Sequence, residues 1–202
     1  MPSLYDIKPA FQRFLQPVLD ACIAWRISAN ALTALALGLS IAGGAMLWVS
    51  GGAAWALLCY LPLLFLRMAL NALDGLVARQ TGTSSRAGMI FNEVADITSD
   101  VAMYVPFLAV IGVDYVALLA AVLTGVVVEL SGIWRLKGDG YRAYHGPLGK
   151  SDRAFAFGLL AVLLLVSLPM LLVTVYLVTL TAMHLLTIRN RLVRPVGPPP
   201  GN

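Results

Sequence analysis

Charge is scarce in this chain. Only 12% of its 202 residues are Asp, Glu, Lys or Arg, and ten of these are acids. So few charges cannot keep the surface of a globular domain wet, which excludes a water-soluble fold. Cysteine is almost missing as well. Cys22 and Cys59 lie in apolar stretches without metal-ligand spacing, so zinc or disulfide frameworks are excluded and packing roles remain. The opening MPSLYDIKPAF has an acid and a proline but no apolar h-region, so no cleaved signal peptide is evident. Histidine occurs only at His145, in a polar loop, and at His184, late in an apolar run, and neither has a catalytic companion nearby in sequence. The net charge of +4 would suggest nucleic acid only if the basic residues formed a soluble patch, and their positions rule that out.

Hydrophobic residues are abundant, at 59% of the chain, with a mean hydropathy of +0.84. A span of the bilayer takes about 20 mostly apolar residues, because every backbone polar group must be satisfied within the helix. Six such segments occur, near 30–50, 53–79, 87–112, 114–135, 152–168 and 169–188. Ahead of them, residues 4–25 place Phe11, Phe14, Leu15, Val18, Leu19 and Cys22 at helical spacing, with Lys8, Arg13, Gln16 and Asp20 between. That pattern predicts an amphipathic helix lying along the interface. Ser28-Ala29-Asn30 is a cap signal for the first span. The expected plan is therefore an all-α membrane protein with one domain over residues 1–190. A Pro/Gly-rich tail, 191–202, is expected to be disordered and cytoplasmic. With six spans, thirteen of the fourteen Lys and Arg residues fall on one side, and the exception is Arg67 inside a helix. This bias puts both termini on the cytoplasmic side of the membrane.

Acids and amides inside spanning helices cost about 2.5–3.5 kcal/mol each even on lenient scales, so they mark function. They cluster here in NALDGLVARQTGTSSRAGMIFNEVADITSD. Asn71, Asp74 and Ala78 share one face of the second span. Gly88, Asn92, Asp96 and Asp100 form a stripe along the third, with Glu93 beside it. Oxygen ligands converging from two helices suit a hard cation such as Mg²⁺ or Mn²⁺. A charge pair that merely pins the helices, or the ion pathway of a transporter, are the other readings of the same residues. Deeper in the spans, Arg67 and Asp100 each lie twelve residues from the cytoplasmic markers Arg79 and Gly88. At about 1.5 Å per residue both are about 18 Å deep, so they are expected to pair beneath the cluster. Glu129 is the competing partner, but by the same rise it is level with Asp74 and expected at the site mouth.

The spacing resembles the signature of the CDP-alcohol phosphotransferases. That signature is an acid, two residues, Asp-Gly, two residues, Ala-Arg, eight residues, Gly, three residues, an acid, three residues and an acid. This chain has Asn71, Asp74-Gly75, Ala78-Arg79, Gly88, Asn92 and Asp96 at those spacings. Two of the four acids are thus replaced by Asn, at the first and third positions. The resemblance implies transfer of a phosphatidyl-type group from a CDP-lipid to an alcohol, with release of CMP, by a homodimer. It also implies Asn71, Asp74, Asn92 and Asp96 as ligands of one or two Mg²⁺ or Mn²⁺ ions. Asp74 and Asp96 would be the catalytic acids, with Asp96 as base for the acceptor hydroxyl. Asn71, Asp74, Gly75, Ala78, Arg79, Gly88 and Asn92 would bind the CDP moiety. Small residues at Gly75, Ala78 and Gly88 would let the nucleotide approach, and Arg79 would pair with its phosphates.

The loop RLKGDGYRAYHGPLGKSDRAF is the most polar stretch of the chain. Its Arg142, Lys150 and Arg153 are candidates for the phosphate of an acceptor alcohol, with membrane anchoring as the alternative. Arg67, Glu93, Asp100 and Glu129 are read as supporting residues. A CDP-lipid-binding protein that has lost catalysis, and a transporter, remain as alternative functions.

Overall fold

The computed structural model describes residues 4–139 and 146–193, and among these every regular element is helical. Arg142 and His145, and the tail from 194 onward, lie outside the described residues. Seven α-helices follow one another: α1 Leu4–Ala24, α2 Ala29–Val49, α3 Ala54–Gln80, α4 Arg86–Tyr104, α5 Tyr115–Asp139, α6 Lys150–Leu165 and α7 Met170–Val193. Helices α2, α3, α5 and α7 are long and apolar enough to cross a bilayer on length and composition alone. Helix α6 has only 16 residues and α4 carries Glu93, Asp96 and Asp100.

Helix α1 divides its apolar face. Leu15, Leu19 and Cys22 are buried against Leu32, Ala36, Leu70, Leu73 and Val77 of α2 and α3, whereas Phe14 and Val18 are exposed. That division suits a helix touching protein on one side and lipid on the other. Ser28 caps α2, accepting the Ala31 N–H at 3.2 Å, as its place in the sequence suggests. Helix α2 packs against both α3 and α4. Its approach to α4 depends on Gly44, where an added Cβ would lie 1.9 Å from the Ala102 carbonyl oxygen. Small residues serve such close approaches between membrane helices, because there packing replaces the hydrophobic drive.

The third apolar segment, expected to be one helix over 87–112, is interrupted. Its α-helix ends at Tyr104 and a 3₁₀ turn covers Val105–Ala109. Pro106 explains the change, since it lacks an N–H and its ring cannot sit against the carbonyl four residues back. Helix α7 runs beyond the expected end at 188 to Val193, and its buried Arg191 donates to the Val128 carbonyl of α5. That contact ties the last turn to the bundle. The main apolar core joins α3, α5, α6 and α7 around Tyr60, Tyr104, Phe107 and Phe157, with Tyr104 and Phe157 stacked at 3.8 Å between centroids.

Candidate active site

The site lies between α3 and α4, whose antiparallel course comes from the short loop at residues 81–85. Thr81 ends α3, and Ser85 caps α4 by accepting the Gly88 N–H at 3.0 Å. Both helices pack on α2, while between themselves the meeting is made by polar side chains. Three rungs cross the gap. Asn92 Nδ2 donates to Asp74 Oδ2 at 2.7 Å, and Asn71 Nδ2 donates to Asp96 Oδ1 at 3.0 Å. Below them Arg67 Nη2 donates to Asp100 Oδ1 at 2.6 Å. Each turn toward the cytoplasmic end of α3 is thus matched by a turn of α4, which is why the residues of the signature meet.

Two tiers result. The upper tier holds Asn71, Asp74, Asn92 and Asp96, with the amides half-buried and the carboxylates 4% and 6% exposed. Lys150, the first residue of α6, reaches down to Asp96 Oδ2 while its side chain keeps about a third of its exposure. The lower tier is a closed charge network. Arg153, 1% exposed, donates through Nη2 to Asp100 Oδ2 at 2.8 Å and to Glu129 Oε1 at 2.8 Å, and its Nε adds 3.2 Å to Asp100. Arg67 also donates to the Asp96 carbonyl at 3.2 Å and lies 3.4 Å from the Tyr104 hydroxyl. Two guanidinium groups and two carboxylates balance in charge, which a buried ionic cluster requires.

The expected Arg67–Asp100 pair is present, but the geometry differs from the sequence expectation at two residues. Glu129 does not face the mouth; it is buried beneath, because Arg153 of α6 enters between α4 and α5 and takes it. Arg153, grouped on sequence with the acceptor candidates, has no exposed face for an acceptor and instead docks α6 on the bundle. Asp152, the residue before it, caps α6, accepting the Gly149 N–H at 2.8 Å. Gly125 makes room for this arrangement, since an added Cβ would lie 3.1 Å from Arg153 Cδ. His184 is fully buried, with Nδ1 3.2 Å from the Thr124 hydroxyl, and is structural.

The residues ascribed to the nucleotide differ in the space around them. Gly75 opens on space, where an added Cβ would meet nothing nearer than the Arg79 guanidinium at 3.9 Å. Ala78 is half-buried and Arg79 exposed. Glu93 is half-buried, one residue along from Asn92. Gly88 is confined, with Ser85 Oγ and Asn30 Oδ1 within 3.1 and 3.3 Å of an added Cβ. A cavity of about 310 Å³ is lined by Ile27, Ser28, Asn30, Val77, Thr81 and Thr83 among others. Sequence reasoning missed Thr33 of α2, which is 3% exposed and donates to Asp74 Oδ2 at 2.7 Å. The available signal was a hydroxyl one turn inside an apolar span, level with the acids.

Among the described residues no three His, Cys, Asp or Glu side chains converge on one point. The donor set still suits a hard cation, since two carboxylates and two amide oxygens are oxygen ligands on neighbouring turns. The amides now present Nδ2 to the carboxylates, and a half-turn of each would present Oδ1 instead.

Known proteins match this architecture. The family model for CDP-alcohol phosphatidyltransferase covers residues 26–188. The inner membrane protein YnbA of Escherichia coli K12 is 40% identical over 158 residues, 78% of each chain. The fold is shared with the phosphatidylinositol phosphate synthase PgsA1 of Mycobacterium tuberculosis. Its CDP-DAG-bound structure aligns with a TM-score of 0.72 at 21% identity, covering 89% of this chain and 92% of that one. The structure of that enzyme with manganese and citrate aligns at 0.71 and 21%, covering 87% and 86%. With the signature spacing, the helical membrane fold and the relatives in agreement, the chain belongs to the CDP-alcohol phosphatidyltransferase family, the membrane phosphotransferases of phospholipid synthesis.

Proposed function

We propose that this protein transfers a phosphatidyl-type group from a CDP-lipid, CDP-diacylglycerol in the simplest case, to an alcohol, releasing CMP. The observation that carries this is the upper tier, where Asp74 and Asp96 stand on facing turns of α3 and α4 with an amide beside each. The bound CDP-DAG of the mycobacterial synthase supports the choice of donor. Its manganese supports Mg²⁺ or Mn²⁺ at Asn71, Asp74, Asn92 and Asp96. Such a cation would neutralise charge on the phosphates and hold them for in-line displacement.

The chain's own groups would do the rest. The nucleotide would enter by Gly75, Ala78 and Gly88, with Arg79 on its phosphates and the cavity beside Asn30 and Thr83 for the cytidine. Asp96 would take the proton of the acceptor hydroxyl as its oxygen bonds to the β-phosphorus and the bond to CMP breaks. Thr33 and Asn92 would fix the Asp74 carboxylate, and Arg67 would hold the Asp96 turn through its carbonyl. Arg142 from the polar loop and Lys150 at the start of α6 are the candidates for the phosphate groups of the substrates, that of the acceptor among them. The functional assembly would be a homodimer with six spans, termini and site on the cytoplasmic face of the inner membrane.

The test is purified protein with CDP-diacylglycerol, Mg²⁺ or Mn²⁺ and a panel of alcohols, sugar phosphates and glycerol phosphate, scored for CMP. Release with one acceptor supports the reading. CDP-lipid binding without release by any acceptor would make the chain a binding protein, the alternative that the two Asn replacements raise. Transport without CMP release would make it a transporter.

A further inference from the structure

The upper tier is poor in negative charge and already holds a cation. Its four signature positions supply two carboxylates and two neutral amides, and the Lys150 ammonium rests on Asp96. The formal charge of these five side chains is therefore −1, while the tier beneath is neutral, with Arg67 and Arg153 matched by Asp100 and Glu129. Two divalent ions close together would find only two carboxylates among the four signature positions, one of them shared with an ammonium, which leaves those positions short of negative charge for a metal pair. Lys150 is moreover not a stray surface side chain. It opens α6, and α6 is anchored one turn deeper by Arg153, whose guanidinium joins α4 and α5. That anchor fixes where the first turn of α6, and so the base of the Lys150 side chain, stands.

We infer that this chain binds a single divalent cation, at Asp74 and the neighbouring amide oxygens, and that Lys150 at Asp96 supplies the second positive charge to the CDP phosphates. The inference rests on the proposed transferase reading for its ligand. The positive charge beside Asp96 is built into the protein and does not depend on metal supply. With about a third of its side chain exposed at the mouth, Lys150 can turn from Asp96 to a phosphate oxygen without crossing the bundle.

The experiment counts Mn²⁺ on purified protein in detergent with CMP present, by loss of the free-ion electron paramagnetic resonance signal. The native chain and Lys150→Arg are expected to bind one Mn²⁺ with no Mn–Mn spin coupling. Lys150→Met is expected to bind Mn²⁺ at least about tenfold more tightly, since a like charge has left the site. Asn71→Asp with Asn92→Asp and Lys150→Met is expected to bind two, spin-coupled. Two coupled ions on the native chain, no ion at all, or an unchanged affinity in Lys150→Met would overturn the inference. The CMP-release assay on the same samples separates the two readings. Release with two coupled ions defeats only the single-cation inference, whereas one ion, bound CMP and no release with any alcohol defeats only the transferase.

Discussion

Asp74 and Asp96 are the two carboxylates of the upper tier, and an Asn stands beside each. Asp74→Asn and Asp96→Asn are each expected to lower CMP release about a thousandfold or more with the fold intact, because the first removes a charged ligand of the cation and the second the base for the acceptor hydroxyl, and about 1.4 kcal/mol is tenfold. Near-native release from either folded variant would remove the tier from the mechanism. One turn deeper, Asp100 serves two guanidinium groups at once. Asp100→Ala leaves both short of a partner and is expected to cost about 3–5 kcal/mol. Arg67→Ala is expected to cost less, because Asp100 keeps Arg153. The double variant is then less unstable than the two losses added together, as coupled neighbours are. Thermal unfolding in detergent measures the cycle, and strictly additive losses would dissolve the pairing.

At the scale of helices, the gap between α3 and α4 exists because α2 holds each of them separately, and Gly44 lets α4 come close. Gly44→Ala pushes a Cβ into the Ala102 carbonyl, which only a shift of backbone relieves. Gly38, on the same helix, has nothing within 4 Å of an added Cβ. Gly44→Ala is expected to lower the Tm by roughly 3–10 °C, the result of overpacking costing about 1–3 kcal/mol. Gly38→Ala is expected to leave Tm unchanged or raise it, since Ala is the better helix former. Equal effects of the two changes would mean that the α2–α4 contact does not set the distance between the site helices.

Across the whole molecule, the ends of α3, α5 and α7 and the starts of α2, α4 and α6 gather at one end of the bundle, with the site and with Arg79, Arg86 and Lys150. The opposite turns, at residues 50–53, 110–114 and 166–169, contain no Lys or Arg. In a Cys22→Ser, Cys59→Ser background, Thr83→Cys is expected to react with a membrane-impermeant thiol reagent only after the inner membrane is opened. Gly51→Cys is expected to react without that step. The reverse pattern would turn the protein over in the membrane and place its chemistry on the wrong side for a cytoplasmic nucleotide.

Periodicity determined a great deal by itself. Apolar runs of bilayer length, a 3.6-residue repeat of acids and amides, and one rise per residue suffice to bring Asn71 toward Asp96, Asn92 toward Asp74 and Arg67 toward Asp100. These pairs lie on two helices joined by a short loop, so chain geometry alone limits the partners. What crosses between elements distant in sequence was not legible in that way. Thr33 reaching Asp74, Arg153 passing beneath the site to Asp100 and Glu129, and Lys150 settling on Asp96 all depend on how α2 and α6 dock. Docking is decided by side-chain packing at contacts such as Gly44 and Gly125, where the presence or absence of one Cβ counts. A linear pattern can therefore state which residues share a helix face and at what depth, but only the assembled bundle decides which charge answers which.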